Sequence, residues 1–471
     1  MLFNSIEFLL FFPLVTFLFY VMPHRFRWIH LLLASSFFYM SFVPQYILIL
    51  LATIVIDFIA AIWIEKISIR RKKLLLIISI ISTCLVLFIF KYFDFFNENM
   101  ILLGKKWHFH YQAEVANFIL PIGLSFHTFQ SLSYVIEVYR GKQKAEKHFG
   151  IYSLYVMFYP QLVTGPIERP QNLLKQLKEK ISLHYSNISK GLRLILFGFF
   201  IKMVIADNLA KYVDQIYLDP NAYNSLSILI GLLFYSFQIY CDFYGYSLIA
   251  VGCAKTLGYD LMDNFKRPYL AINFTEFWQR WHISLSTWFR DYVYFPLGGN
   301  KVKWMRWAYN ILIVFLLSGL WHGARWNFVL WGLAHALIYL TEHIFNKLFW
   351  FKRTMPELIT VVIQNIKRIK TFLLVSLVWV FFRSQNMEQI SNIFTSLFKN
   401  YHTTDTFHIQ PEIWLFLGLF ILMDFFLFKD RFDNWCERRA FTIRWSIYTG
   451  IAFLIIAFSS VENFPFIYFQ F

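Results

Sequence analysis

Charge is what this sequence has least of. Only 15% of its 471 residues are Asp, Glu, Lys or Arg, against roughly 25% in soluble domains, which excludes an ordinary soluble globular fold for the chain as a whole. Cysteine is scarce as well. Cys84, Cys241, Cys253 and Cys436 stand singly, so there is neither a disulfide framework nor paired metal spacing, and they read as buried free thiols. No Gly/Ser linker, low-complexity tract or internal repeat divides the chain, and one integral membrane domain over 1–471 is enough. Also missing are a G-x-S-x-G elbow, an H-E-x-x-H zinc motif, a Walker loop and a Rossmann fingerprint. Nucleophilic-serine and metal mechanisms lose support, and His108 with His110 is too little for a metal site.

What is present is hydrophobic: 58% of residues, with 21% aromatic. Tyr46 to Ile64, Leu74 to Tyr92, Ile228 to Ala250 and Trp445 to Phe458 approach the ~20 apolar residues that cross a bilayer as a helix. The expected fold is all-α and polytopic, with about eleven spans, some short or broken. The first run lacks a basic n-region and a small-residue cleavage site, so a retained helix is expected there. A net charge of +16 would suggest nucleic acid in a soluble protein. Here the basic residues fall in short loops, and positive loops on the cytoplasmic side explain them without a nucleic-acid partner. Arg25 and Arg27, then Arg70 to Lys73, then Arg140 to Lys147 place the N-terminus outside and the loop from Asn97 to Asn117 external, despite Lys105 and Lys106. The basic stretches Lys347 to Lys370 and Lys429 to Arg444 read as cytoplasmic, and the loop Ser384 to Glu412 between them as external.

Several polar groups interrupt the apolar runs. Asp57 fits a transport pathway or, more ordinarily, a helix-packing hydrogen bond. Pro121 to Gly141 carries Ser125, His127, Thr128, Gln130, Ser131 and Ser133, and is expected to face other helices or a cavity; His127 is either a substrate contact or a packing histidine. YPQLVTGPIERP, from Tyr159 to Pro170, has Pro and Gly spaced so that a continuous helix cannot pass, which predicts a broken or re-entrant segment. Leu173, Leu174, Leu177 and Ile181 then recur opposite Lys175, Lys178 and Lys180, the pattern of an amphipathic helix on the membrane surface. Asp242, in QIYCDFYGYS, is an isolated carboxylate that neighbouring tyrosine hydroxyls can satisfy, so a structural or site-shaping role is favoured over direct chemistry.

Polarity concentrates between Asn273 and His335. Asn273 with Glu276 reads as an N-cap with its capping partner, and the Pro-Leu-Gly-Gly turn from Pro296 as a stop. The helix between would carry Trp278, His282 and Leu285 on one face, with Arg280, Arg290 and Asp291 off it at interface depth. His322 falls at the turn between two short apolar runs, Ile311 to Leu317 and Phe328 to Tyr339, sunk into the bilayer from the outer side. A neutral imidazole in a restricted, semi-apolar site can act as a general base, which suits a hydroxyl attacking an acyl thioester. Spacing alone does not rank the histidines, and packing is the default role for each.

The strings LPIGLSFHTFQSLSYVIEVYRG, YPQLVTGPIERP, QIYCDFYGYS, NFKRPYLAINFTEFWQRWHISLSTWFRDYVYFPLGGN, LLSGLWHGARWNFVLWGLAHA, WVFFRSQN and the terminal FIYFQF, in this order, resemble the membrane-bound O-acyltransferase (MBOAT) family, and its bacterial alginate O-acetyltransferase branch most. The resemblance covers almost the whole chain. It implies a helical ring, with re-entrant and interfacial helices, around a central tunnel where a cytosolic acyl donor meets the acceptor. Within one domain it implies N-terminal helices over 1–140, a core with the catalytic motifs over 141–345 and C-terminal helices over 346–471.

His322 matches the family's near-invariant histidine, to which the general-base role belongs. His282 matches the second motif position, held by His, Asn or Asp. Trp281, Trp321 and Arg290, with Asp242 and His127, are expected to shape the site or contact substrate. His127 stands where Tyr or Phe is usual, and Tyr244 where Ser is common; both departures bear on the acceptor and not on the reaction.

The implied function is an acetyltransferase of the bacterial cytoplasmic (inner) membrane for O-acetylation of an exported polysaccharide. It would use acetyl-CoA as donor substrate with no bound cofactor or metal, surrounded by membrane lipid, and an extracytoplasmic acetyltransferase or carrier as partner. Peptidoglycan O-acetylation and D-alanyl transfer to teichoic acid are alternatives with the same histidines. A transporter or channel is the rival of a different class; it would favour repeats and matched broken helices in two halves.

Overall fold

A bilayer core offers no water to backbone N–H and C=O groups, so a spanning chain must satisfy them within helices or a closed barrel. This chain uses helices. A computed structural model describes residues 1–111, 120–162, 165–348, 356–400, 408–427, 430–460, 464 and 466–469, and among the described residues there is no strand. Six helices among them are long and apolar enough to cross a membrane: Pro44–Lys66, Arg70–Trp107, Ser225–Thr256, Trp304–His322, Trp326–Leu348 and Phe441–Phe458. Ile6–Val21 is apolar but shorter. The expected count of about eleven is not established, because hydropathy does not see where helices break or carry charge. Glu357–Arg383, for example, is long but has Lys367, Arg368 and Lys370 in mid-course.

The spans read from sequence lie inside these helices, with one extension. The run ending at Tyr92 continues through a π-helical turn, Phe88–Tyr92, into Phe93–Trp107. The expected external loop from Asn97 is therefore helical as far as Trp107, and 112–119 lie outside the described residues. In the expected loop Ser384 to Glu412, Met387–Lys399 is a helix with Ile390 and Ile393 buried; 401–407 lie outside the described residues, as do 349–355 of the basic stretch before it.

The chain divides into two compact units, one of residues 1–192 with 249–262, the other of 193–248 with 263–471. In the first, Ile47–Lys66 packs on Ile69–Leu87 and on Leu124–Tyr139. Asp57 is fully buried and accepts from Ser79 at 2.8 Å and Thr83 at 3.1 Å, so it is a helix-packing carboxylate. The polar helix Leu124–Tyr139 faces protein as expected: Gln130 donates to the Tyr155 carbonyl at 2.6 Å, and Thr53 Oγ1 lies 3.4 Å from His127 Nε2. The break in YPQLVTGPIERP is real, since helix Tyr159–Leu162 is a single turn and 165–169 are irregular and largely buried; 163–164 lie outside the described residues. One expectation fails. Pro170–Lys178 is amphipathic, but Leu173, Leu174 and Leu177 are buried against Phe149–Met157 and Leu124–Tyr139, so its apolar face meets protein and not lipid. Apolar periodicity reports a buried face without saying what buries it.

In the second unit, Trp304–His322 and Trp326–Leu348 form a closely packed helix pair, joined by the short turn 323–325. Gly319 and Gly332 permit it: a Cβ on either would fall 2.2 Å from the Phe328 carbonyl oxygen or 2.3 Å from that of Phe315. Small residues of this kind let membrane helices meet backbone to backbone. Glu357–Arg383 packs on Trp326–Leu348, and Asn327 fixes its end by donating to the carbonyls of Phe381 and Ser384 at 3.2 and 2.7 Å.

Candidate active site

The polar stretch after Asn273 starts as its caps require. Asn273 Oδ1 accepts from Glu276 N–H at 2.7 Å, while the Glu276 carboxylate accepts from Ile272 N–H at 2.7 Å, a cap of about 1 kcal/mol. The single helix expected from there to Pro296 does not form. Phe274–Arg280 ends, Trp281 is extended, and Ile283–Phe289 starts anew, followed by a π-helical turn, Arg290–Tyr294. The break is His282, whose φ of 42° and ψ of 56° lie in the left-handed region, at a cost of about 1–2 kcal/mol for a residue with a Cβ. Asn264 holds it there: its carbonyl accepts from Ile283 N–H at 2.9 Å and its Oδ1 from Ser284 N–H at 3.3 Å. Trp278, His282 and Leu285 therefore do not share one helical face.

His322 is the last residue of its helix and is 5% exposed, whereas His282 is fully buried. Rings surround both. From His322 the ring centroids of Trp321, Trp331, Phe382 and Tyr468 lie at 4.9, 5.0, 5.1 and 5.5 Å. From His282, Phe243 lies at 4.6 Å, Trp321 at 6.1 Å and Tyr468 at 6.5 Å. Trp321 and Tyr468 thus neighbour both imidazoles, and the two histidines belong to one cluster of aromatic rings, which we term the chamber. Trp281 belongs to the wall behind it, 4.9 Å from Trp379, which stacks on Trp331 at 6.0 Å. The third histidine of the stretch, His335, is buried between Trp331 at 4.7 Å and Trp278 at 4.9 Å, and so has Trp331 as a neighbour in common with His322.

Arg290 is exposed, paired with Asp291 at 2.9 Å and set over Phe295. His127 lies in the first unit. Asp242 is buried, but its partners are not tyrosines: the Lys202 ammonium is 2.5 Å away and Ile467 N–H donates to it at 2.7 Å. The nearby Tyr240 hydroxyl instead donates to Asp424 at 3.2 Å.

Two residues were missed. Lys202 is a lone ammonium within the apolar run 194–205, and an intramembrane charge asks for a partner; pairing it with Asp242 required only that question. Tyr468 gave less warning, because an aromatic in a terminal aromatic run has no spacing to mark it. The arrangement suits proton transfer. Imidazole accepts a proton near neutral pH, and buried among rings its interaction with developing charge is strengthened.

Fold and site together define a helical membrane protein with a buried two-histidine centre. The MBOAT, membrane-bound O-acyltransferase family, matches residues 148–369, a span that includes both histidines. A peptidoglycan O-acetyltransferase of Helicobacter pylori is 36% identical over 388 residues, covering 76% of this chain and 71% of that protein. A probable alginate O-acetylase AlgI of Pseudomonas aeruginosa is 33% identical over 405 residues, covering 84% and 75%. A teichoic acid D-alanyltransferase of Bacillus subtilis is 31% identical over 275 residues, covering 54% and 67%. The chain belongs to the membrane-bound O-acyltransferase family. It is an O-acyltransferase and a multi-pass protein of the bacterial inner membrane, which sets the transporter reading aside.

Proposed function

We propose that the protein transfers an acetyl group from acetyl-CoA in the cytosol across the membrane, for O-acetylation of an exported or cell-surface polysaccharide of the alginate type. An extracytoplasmic acetyltransferase or carrier protein receives or passes on the group. The observation that carries this reading is the pairing of His282 and His322 around the shared rings of Trp321 and Tyr468. The similarity to a probable alginate O-acetylase over 84% of the chain supports the acceptor class.

In this mechanism His322 removes the proton of the acceptor hydroxyl as its oxygen attacks the thioester carbonyl. The new C–O ester bond forms, the C–S bond breaks, and the CoA thiol leaves with a proton. His282 orients the reactants or stabilises the negative charge that develops on the carbonyl oxygen. Basic loops on the cytoplasmic side would draw in the phosphates of CoA.

Peptidoglycan as acceptor is the second reading, favoured by the 36% identity to an enzyme of that name. D-alanyl transfer to teichoic acid is a third, on a match covering 54% of the chain. The test is transfer of labelled acetyl from acetyl-CoA in membrane vesicles containing the cognate extracytoplasmic partner, for wild type and His322→Ala at matched expression. Histidine-dependent label in a polysaccharide or in the partner is the expected result. Label that appears equally in the variant would remove His322 from the mechanism; label that enters peptidoglycan alone would replace the acceptor.

A further inference from the structure

Lys202 lies on a π-helical stretch, Phe200–Ala206, and is 1% exposed. Its ammonium sits 2.6 Å from Asp207 and 2.5 Å from Asp242, both buried. Removing three such groups from water is costly, and apolar side chains of similar volume often serve stability as well or better. Stability alone therefore gives little reason for the cluster. What it holds gives a better one. The ammonium also donates to the carbonyl of Phe464 at 3.3 Å, and Asp242 Oδ2 accepts from the N–H of Ile467 at 2.7 Å. Both bonds go to backbone that lies beyond the last long helix, Phe441–Phe458, and has no helical ladder to satisfy it; unmet, such groups are expensive in a low-dielectric interior.

The hold has a direction. Phe466 is fully buried, 4.7 Å from the ring of Tyr246 and 5.6 Å from that of Phe243. One 3-10 turn, Ile467–Phe469, then carries Tyr468 to the two histidines. Gly245 lets the Asp242 helix lie close to Lys202: a Cβ there would stand 2.8 Å from the Gly198 carbonyl oxygen and 3.1 Å from Lys202 Cβ.

We propose that Lys202 and Asp242 are positioning residues, a two-point latch that fixes the backbone at Phe464 and Ile467 and thereby sets Tyr468 beside His282 and His322. The inference rests on the reading of that chamber as the transfer site, so the test pairs transfer with a readout that does not depend on it. Hydrogen–deuterium exchange is followed on the full chain, purified in detergent, at the amides of Ile467 and Tyr468, and acetyl transfer is assayed on the same preparations. Lys202→Met with Asp242→Leu keeps the volume and removes both latch points, and Asp207→Asn is added so that no buried carboxylate is left without its ammonium. It is expected to speed exchange at Ile467 by about tenfold or more and to lower transfer by a similar factor, with the thermal unfolding midpoint held. Asp242→Asn keeps an oxygen for the Ile467 N–H and is expected to retain most of the protection and most of the transfer.

Ile467→Pro removes the N–H from the tail side and leaves the ions intact; proline is tolerated at the first position of such a turn. It is expected to speed exchange at Tyr468 and lower transfer, and it decides the matter if the combined variant does not fold. Unchanged exchange, or faster exchange with full transfer, would overturn the latch. Absence of transfer from wild type, with the exchange pattern as expected, would leave the latch standing and remove the acetyl-transfer reading instead.

Discussion

Each of the two compact units buries a carboxylate and a histidine, and the partners differ. In the first, Asp57 is bound by the hydroxyls of Ser79 and Thr83, and His127 by that of Thr53, all on neighbouring helices. Those bonds join helix to helix. In the second, Asp242 is bound by an ammonium and by the backbone of a segment that ends among rings, while His282 and His322 share Trp321 and Tyr468 as neighbours. Residue type and burial are alike in the two units; what differs is whether the contacts converge on shared rings, and the proposed transfer site is the one where they do.

The largest break in the comparison should come from His322. General-base catalysis contributes about 10²–10⁴-fold, so His322→Ala should lose transfer by that factor while membrane insertion and the unfolding midpoint stay near wild type. His127→Phe, the substitution at the matching depth in the first unit, should change transfer by less than about threefold, since it trades one hydroxyl contact for apolar contact. Initial rates on purified protein with a fixed acetyl donor check both. Equal losses would mean that the two units contribute to one centre and would remove the distinction.

His282 should fall next. His282→Ala removes the imidazole and leaves an alanine in the left-handed region, so a loss of about 10²-fold in transfer is expected, as for loss of a group that stabilises developing charge. Asn is several-fold enriched in that backbone region and keeps a hydrogen-bonding side chain. His282→Asn should therefore recover at least about tenfold of what alanine loses. Parallel rates for the two variants measure it; if alanine and asparagine are equally poor, the imidazole itself is required. If both match wild type, His282 is a backbone device only.

Much of this was legible before any coordinates. The apolar runs marked the long helices because a span must be apolar over its whole length, and the capping pair Asn273 and Glu276 marked a helix start because their side chains satisfy specific N–H groups. The break at His282 was not legible. A histidine in the left-handed region is set by Asn264, 18 residues earlier in the chain, and local periodicity carries no trace of it. The burial of Leu173, Leu174 and Leu177 was legible as a stripe, yet protein and lipid impose the same stripe. The place of His322 at a turn was legible because two apolar runs flank it, but spacing did not rank it above the other histidines, and only the family resemblance singled it out. Tyr468 was not legible, since its place depends on Lys202 and Asp242, more than 220 residues away in sequence.

The smallest effect belongs to Asp57, and it sharpens the comparison from the other side. Asp57→Asn keeps an oxygen to accept from Ser79 or Thr83, so it should cost no more than about 0.6 kcal/mol per altered bond, the average for polar contacts between membrane helices. Asp57→Ala leaves both hydroxyls without that acceptor and should cost about 1–3 kcal/mol. In either variant the folded protein should transfer acetyl at the wild-type rate, because Asp57 serves to pack neighbouring helices of the first unit. Thermal unfolding in detergent and initial rates on the same samples separate the two quantities. A rate that falls in step with the midpoint would still be packing; a rate that falls in Asp57→Asn with the midpoint unmoved would give the first unit a part in the chemistry, and the contrast between local bonds and convergent ones would no longer divide the molecule.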